Sequence, residues 1–162
     1  MSKWYGSVVN RVEEGRNFTG RELHVGDDIT MYHWSDRTCY YITEIVSDKC
    51  IKVREWHVCA DHDKAGGMGH QNWLFFKTRD EEDEYLHRFF PDISPEHNEE
   101  PEPEVWVFRY GKWMREFIFT EDNYCTEREL KSLEKHGFYK RYCDLSGRIS
   151  FGVRNYYYDW EF

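Results

Sequence analysis

Cys39-Tyr40-Tyr41-Ile42-Thr43-Glu44-Ile45-Val46, then Ser47-Asp48-Lys49, then Cys50-Ile51-Lys52-Val53-Arg54-Glu55-Trp56-His57-Val58, reads as a β-hairpin. β-Branched and aromatic side chains suit a pleated, half-buried surface, and the short polar residues between the two runs favour local turn bonds. The return run alternates, with Ile51 and Val53 on one face and Lys52 and Arg54 on the other. One face is therefore expected to be buried and the other wet. Upstream, Ile29 to Trp34 reads as a strand that enters this hairpin through Ser35-Asp36-Arg37. Downstream, a loop from Ala60 to Asn72 ends where Trp73-Leu74-Phe75-Phe76-Lys77 restores a strand pattern. Short strands at close spacing after Val25-Gly26-Asp27 fit an SH3-like barrel over residues 1–79, a fold shared by many unrelated binding modules. The opening Trp4 to Glu14 suits either a strand or a helix and is read as a strand.

The chain has 162 residues, enough for one ordinary domain or two small ones. With 7 Trp, 12 Tyr and 11 Phe, its core must be built largely from rings, which favours strands over helices. No apolar run approaches the length that spans a bilayer, and Met1 to Tyr5 lacks the apolar stretch of a signal peptide, so a cytosolic location is expected. Five cysteines without paired spacing, Cys39, Cys50, Cys59, Cys125 and Cys143, point to free thiols rather than a disulfide framework.

Charge is concentrated in one place. Residues 80–104 carry eleven acids against the single base Arg88, a net −10, while the whole chain is −9. The rest is near neutral, so direct attraction to nucleic acid or anionic membrane is disfavoured and a basic partner is favoured. Pro91, Pro95, Pro101 and Pro103 suggest an extended connector, but Tyr85-Leu86-His87-Arg88-Phe89-Phe90 is too apolar for a pure linker. With Glu81, Glu82 and Glu84 ahead of it, that patch is expected to form a short helix docking through Leu86, Phe89 and Phe90.

Beyond the acidic segment, Val105 to Tyr110 and Trp113 to Phe119 flank Gly111-Lys112 as a second hairpin. Thr126-Glu127-Arg128-Glu129 is a capping box, and Gly137 supplies a left-handed stop, so a helix is predicted over about 126–136 with Leu130 and Leu133 facing the sheet. The last run, Arg148 to Phe162, reads as a long strand whose apolar parity changes near Asn155, which implies a bulge or bend. The expected class is α+β, mainly β: an SH3-like domain (1–79), an acidic connector (80–104) and a small α+β unit (105–162).

Trp4-Tyr5-Gly6-Ser7-Val8-Val9-Asn10-Arg11-Val12-Glu13-Glu14, Trp34-Ser35-Asp36-Arg37, and Ser150-Phe151-Gly152 with Tyr156-Tyr157-Tyr158-Asp159 resemble a family of small uncharacterised proteins from phages and prophages of low-GC Gram-positive bacteria. The resemblance covers the first half and the tail well and the middle poorly. It implies a phage accessory role in the host cytosol, where such proteins commonly block host defence, as anti-CRISPR factors do. It carries no active site.

An acidic surface can occupy a basic nucleic-acid channel, so Asp80, Glu81, Glu82, Asp83, Glu84, Tyr85, Phe89 and Phe90 are the expected partner-binding residues. The expected partner is a host protein with a basic surface. Arg37, Arg54 and Trp56, with Gly66 and Gly67 of the loop Lys64-Ala65-Gly66-Gly67-Met68-Gly69-His70, form a possible nucleotide-ligand site, the alternative reading. A nucleic-acid-binding module is a third reading. His57, Cys59 and His62 have metal-ligand side chains but lack a second Cys or His pair, so no metal or other cofactor is expected. No activated Ser or Cys with a His and a carboxylate is legible, so no catalytic residue is assigned and an enzyme is not expected.

Overall fold

The computed structural model describes residues 23–64, 71–94, 99–120 and 126–158. The opening segment Trp4 to Glu14, Gly66 and Gly67, Cys125, and the terminal Trp160 and Phe162 lie outside the described residues. The protein is mainly β, with the described strands β1 (Asp28–Tyr32), β2 (Arg37–Ser47), β3 (Cys50–Glu55), β4 (His57–Ala60), β5 (Trp73–Phe76), β6 (Glu104–Arg109), β7 (Lys112–Phe119), β8 (Tyr139–Asp144) and β9 (Ile149–Phe151). The two described helices are α1 (Arg79–His87) and α2 (Glu127–His136).

Seven strands form one antiparallel sheet in the order β8-β7-β6-β3-β2-β1-β9, which curls into a half-barrel. The expected boundaries at residues 79 and 105 do not divide it, because β3 pairs with β6 and β1 with β9. The strands before the acidic segment thus find their outer partners after it. Curling brings the sheet's two ends together. β8 and β9 are joined by Leu145 to Arg148 alone, and Trp113 of β7 meets Phe151 of β9 with ring centroids 5.6 Å apart. Register shifts in the β2–β3 ladder at Ile42/Glu44 and Ile45/Ser47 add the local twist that bends the sheet.

The concave face holds the core: Ile29, Met31, Tyr40, Ile42, Ile51, Val53, Trp106, Trp113, Ile149 and Phe151. Ile51 and Val53 share the buried face as their alternation requires, both at 0% exposure. The opposite face is not wet over β1 and β2, however, since Thr30, Tyr32, Cys39 and Tyr41 are buried as well. Among the described residues, two segments cover it. The tail after β9 is tied to β1 by the Thr30 hydroxyl, which donates to Val153 O and accepts from Asn155 N. Trp56 also packs on Tyr41 at 4.6 Å, with its indole N–H on Asp28.

Trp56 is also where the expected return strand breaks. Its N–H bonds Cys39 O, β3 stays in the large sheet, and β4 leaves to pair with β5 as a separate two-stranded sheet. In the second hairpin the turn is Tyr110-Gly111, one residue earlier than expected, with φ of 53° and 74° as a two-residue primed turn requires. The final run is not one long strand. β9 ends at Gly152 (φ 74°), whose N–H bonds Asp28 O, and Tyr157 then bridges Arg37. α2 has its predicted capping box, with Gly137 as a left-handed C-cap. Its buried residue is Glu129, bonded by Arg141 at 2.9 Å; of the two leucines expected to face the sheet, Leu133 is half-buried and Leu130 is 47% exposed.

Candidate functional site

The acidic run is sorted into two populations by a helix that begins earlier than expected. Thr78 caps α1, its hydroxyl accepting from Glu81 N while the Glu81 carboxylate accepts from Lys77 N and Thr78 N. This is the same Thr-x-x-Glu box that starts α2, present in the sequence as Thr78-Arg79-Asp80-Glu81. Acids in the first turn also complement the helix dipole.

Tyr85, not Leu86, is the residue that seats α1. It is 7% exposed, packs on Phe76 at 5.6 Å and Phe89 at 5.2 Å, and its hydroxyl accepts from His62 N at 2.9 Å. The His62 imidazole lies among Tyr85, Phe89 and Phe90, so a residue with metal-ligand chemistry is here a ring in an aromatic cluster. Asp61 turns the same loop, accepting from Asp63 N and pairing with Lys64. Cys59 is pushed up to about 11 by burial, with Glu82 and Asp61 adding to the effect, so it stays a thiol. Among the described residues no three His, Cys, Asp or Glu side chains group as metal ligands.

The inward acids act as struts. His57 of β4 stands between Glu82 and Glu100, with Nδ1 3.6 Å from Glu82 Oε2 and Nε2 3.0 Å from Glu100 Oε2. Glu100 also accepts from the Arg79 backbone N–H, which, with His57, holds its carboxyl below the usual range. Burial pushes Glu82 the other way, against the pull of His57 and Arg79. Glu104 pairs with Arg115 at 2.7 Å and accepts from the Trp106 indole at 3.0 Å. The proline-rich exit is thereby fastened at Glu100 and Glu104, and Arg54 donates to Pro101 O at 2.9 Å.

The outward acids differ. Asp80, Asp83 and Glu84 make no hydrogen bond or ion pair through their carboxylates among the described residues. At spacings of three and four residues they share one helix face. Beside them Leu86, Phe90 and Ile93 line a groove of about 430 Å³, with His87 at its edge. Phe90 is 42% and Ile93 64% exposed.

Of the expected partner-binding residues, Asp80, Asp83, Glu84 and Phe90 line this groove, whereas the exposed Glu81 is spent on the helix cap and Glu82 and Tyr85 are engaged with β4 and β5. Phe89 contacts Tyr85 and His62. Leu86, His87 and Ile93 also line it, and nothing in the sequence pattern marks them as site residues. The Thr78 box is the signal that finds the helix, and the face follows from its phase.

The expected ligand residues are brought together only in part. Arg54 and Trp56 line a cleft of about 460 Å³ with His57, Lys77, Arg79 and Glu100. Arg54 is committed to Pro101, and the Trp56 ring lies against Tyr41 and the Arg154 guanidinium. Arg37 is elsewhere, over the rings of Tyr32 and Tyr157. No described helix is long and apolar enough to cross a membrane. No protein-family model, curated protein or solved structure matches this chain.

Proposed function

We propose that this protein works by stoichiometric binding of a basic protein partner through the outward acids of α1, without catalysis. In the phage setting that the sequence resemblance implies, the partner is a host defence protein in the cytosol, and the acids meet Lys and Arg of its nucleic-acid surface. One observation supports this reading above the others. The acidic run is not a free linker and is only partly spent on internal pairs: α1 is capped and seated by Tyr85, and Asp80, Asp83 and Glu84 share one face away from those pairs. Carboxylates held on a rigid scaffold can steer a cationic surface and set its register, which a mobile charged tail does less well.

The test is phage plating on host strains that each carry one defence system, with the wild type and the neutralised triple variant Asp80→Asn/Asp83→Asn/Glu84→Gln expressed in turn. Plating rescued by the wild type and lost in the variant is the expected result. The co-purified partner should be present at equal stoichiometry and bind roughly tenfold more weakly as salt is raised. Full rescue by the variant, or salt-independent binding, overturns the proposal.

A further inference from the structure

The geometry points to the groove beside α1 as the seat of an amphipathic, Lys/Arg-flanked helix of the partner. Its apolar side chains would enter between Leu86, Phe90 and Ile93, and its cations would reach Asp80, Asp83 and Glu84. This rests on the reading of α1 as a docking surface and narrows what that surface takes.

The groove's chemistry has two components, and the occupant must satisfy both. Its floor is apolar and open to water, and removing Phe90 and Ile93 from water is favourable in proportion to the area covered. Its rim is anionic, and among the described residues none makes an ion pair with the three carboxylates. A nucleic acid would meet like charge there, and an acidic or neutral apolar segment would leave the carboxylates desolvated without a partner. A purely polycationic chain would satisfy the rim and leave the floor wet. Only an amphipathic cationic segment answers both.

The backbone decides its conformation. An extended peptide binds well where a sheet edge offers unpaired N–H and C=O groups. Here the wall is a helix whose main-chain groups bond within it, continued by Phe90 N to Leu86 O and Ile93 N to Phe90 O. The occupant must satisfy its own backbone, as a helix does. A cavity of about 430 Å³ has room for the few large side chains that one helix face presents at i, i+3 and i+4.

The test titrates the full chain with two synthetic peptides of equal length and charge, one an amphipathic Leu/Lys helix and the other with every Leu replaced by Ser. Binding is read by anisotropy, and the contacted residues by amide chemical shifts. The amphipathic peptide should bind at least about tenfold more tightly, with shifts centred on residues 80–93. Ile93→Ser should abolish that preference, and the triple variant Asp80→Asn/Asp83→Asn/Glu84→Gln should weaken both peptides. Ile93 is exposed, so this change leaves the fold intact, as a thermal melt will verify. Equal binding of both peptides, with the triple variant weakening each, overturns the groove and leaves the acidic docking surface standing. Binding of neither peptide, or shifts confined to other residues, overturns both.

Discussion

The seven-stranded sheet and the layer made of β4, β5 and α1 are both rich in rings, yet they use them differently. In the sheet, Trp106 and Trp113 are 0% and 2% exposed and lie in one core of aliphatic and aromatic side chains from strands far apart in the chain. In the layer every residue of β4 and β5 is only half-buried, and Tyr85 is the single buried residue of α1. The sheet can supply the stability of the whole. The layer is held by the Tyr85 ring cluster, by ring contacts of Trp73 and Phe75 with Tyr156, and by a few carboxylate struts, and its open face is available for contact. Display surfaces are commonly drawn from the less stable parts of a fold.

That contrast can be broken most forcefully at Trp106. Trp106→Ala leaves a cavity in the centre of the sheet and should cost about 4 kcal/mol, measured by urea unfolding, with the whole chain losing structure in one transition. Tyr85→Ala should cost less, about 2 kcal/mol, and loosen α1 while the sheet amides remain protected. Equal and global losses from the two substitutions would mean that layer and sheet are one cooperative unit.

The two populations of acids sharpen the comparison on a smaller scale. Glu100→Gln removes a carboxylate that Arg79 N and His57 both use, and should cost about 1 kcal/mol at neutral pH. Glu84→Gln should change stability by less than about 0.5 kcal/mol. The pH dependence has a definite sign. Glu100 is held below its unfolded value, so its contribution is present above the ordinary carboxylate range and is lost as pH falls through the lowered value. Glu82 is raised, so it works oppositely, favouring the fold below its unfolded value and losing that contribution as pH rises. Urea midpoints of Glu100→Gln and wild type should therefore converge in acid.

Local patterns carried much of the fold. The β2–β3 and β6–β7 hairpins and the two ends of α2 were legible because turn residues and caps lie within a few positions of what they organise. The pairing of β3 with β6 and of β1 with β9 was not, because nothing near Ile51 or Ile29 states which distant strand will lie beside it. The β propensity of Trp56 predicts a strand position, while its hydrogen bond to Cys39 and its packing on Tyr41 turn the chain away there. In the acidic run, charge density was plain and its sorting was not. The sorting depends on the phase of α1, which Thr78 and Glu81 set and Tyr85 locks.

Whether the acidic run is a folded surface or a linker is decided by amide hydrogen exchange on the full chain. The account predicts that the amides from Glu82 to Phe90, bonded in sequence from Thr78 O to Leu86 O, exchange well below the rate of an unstructured peptide. Exchange of those amides at the unstructured rate, while Ile42, Ile51 and Val53 stay protected, would contradict it.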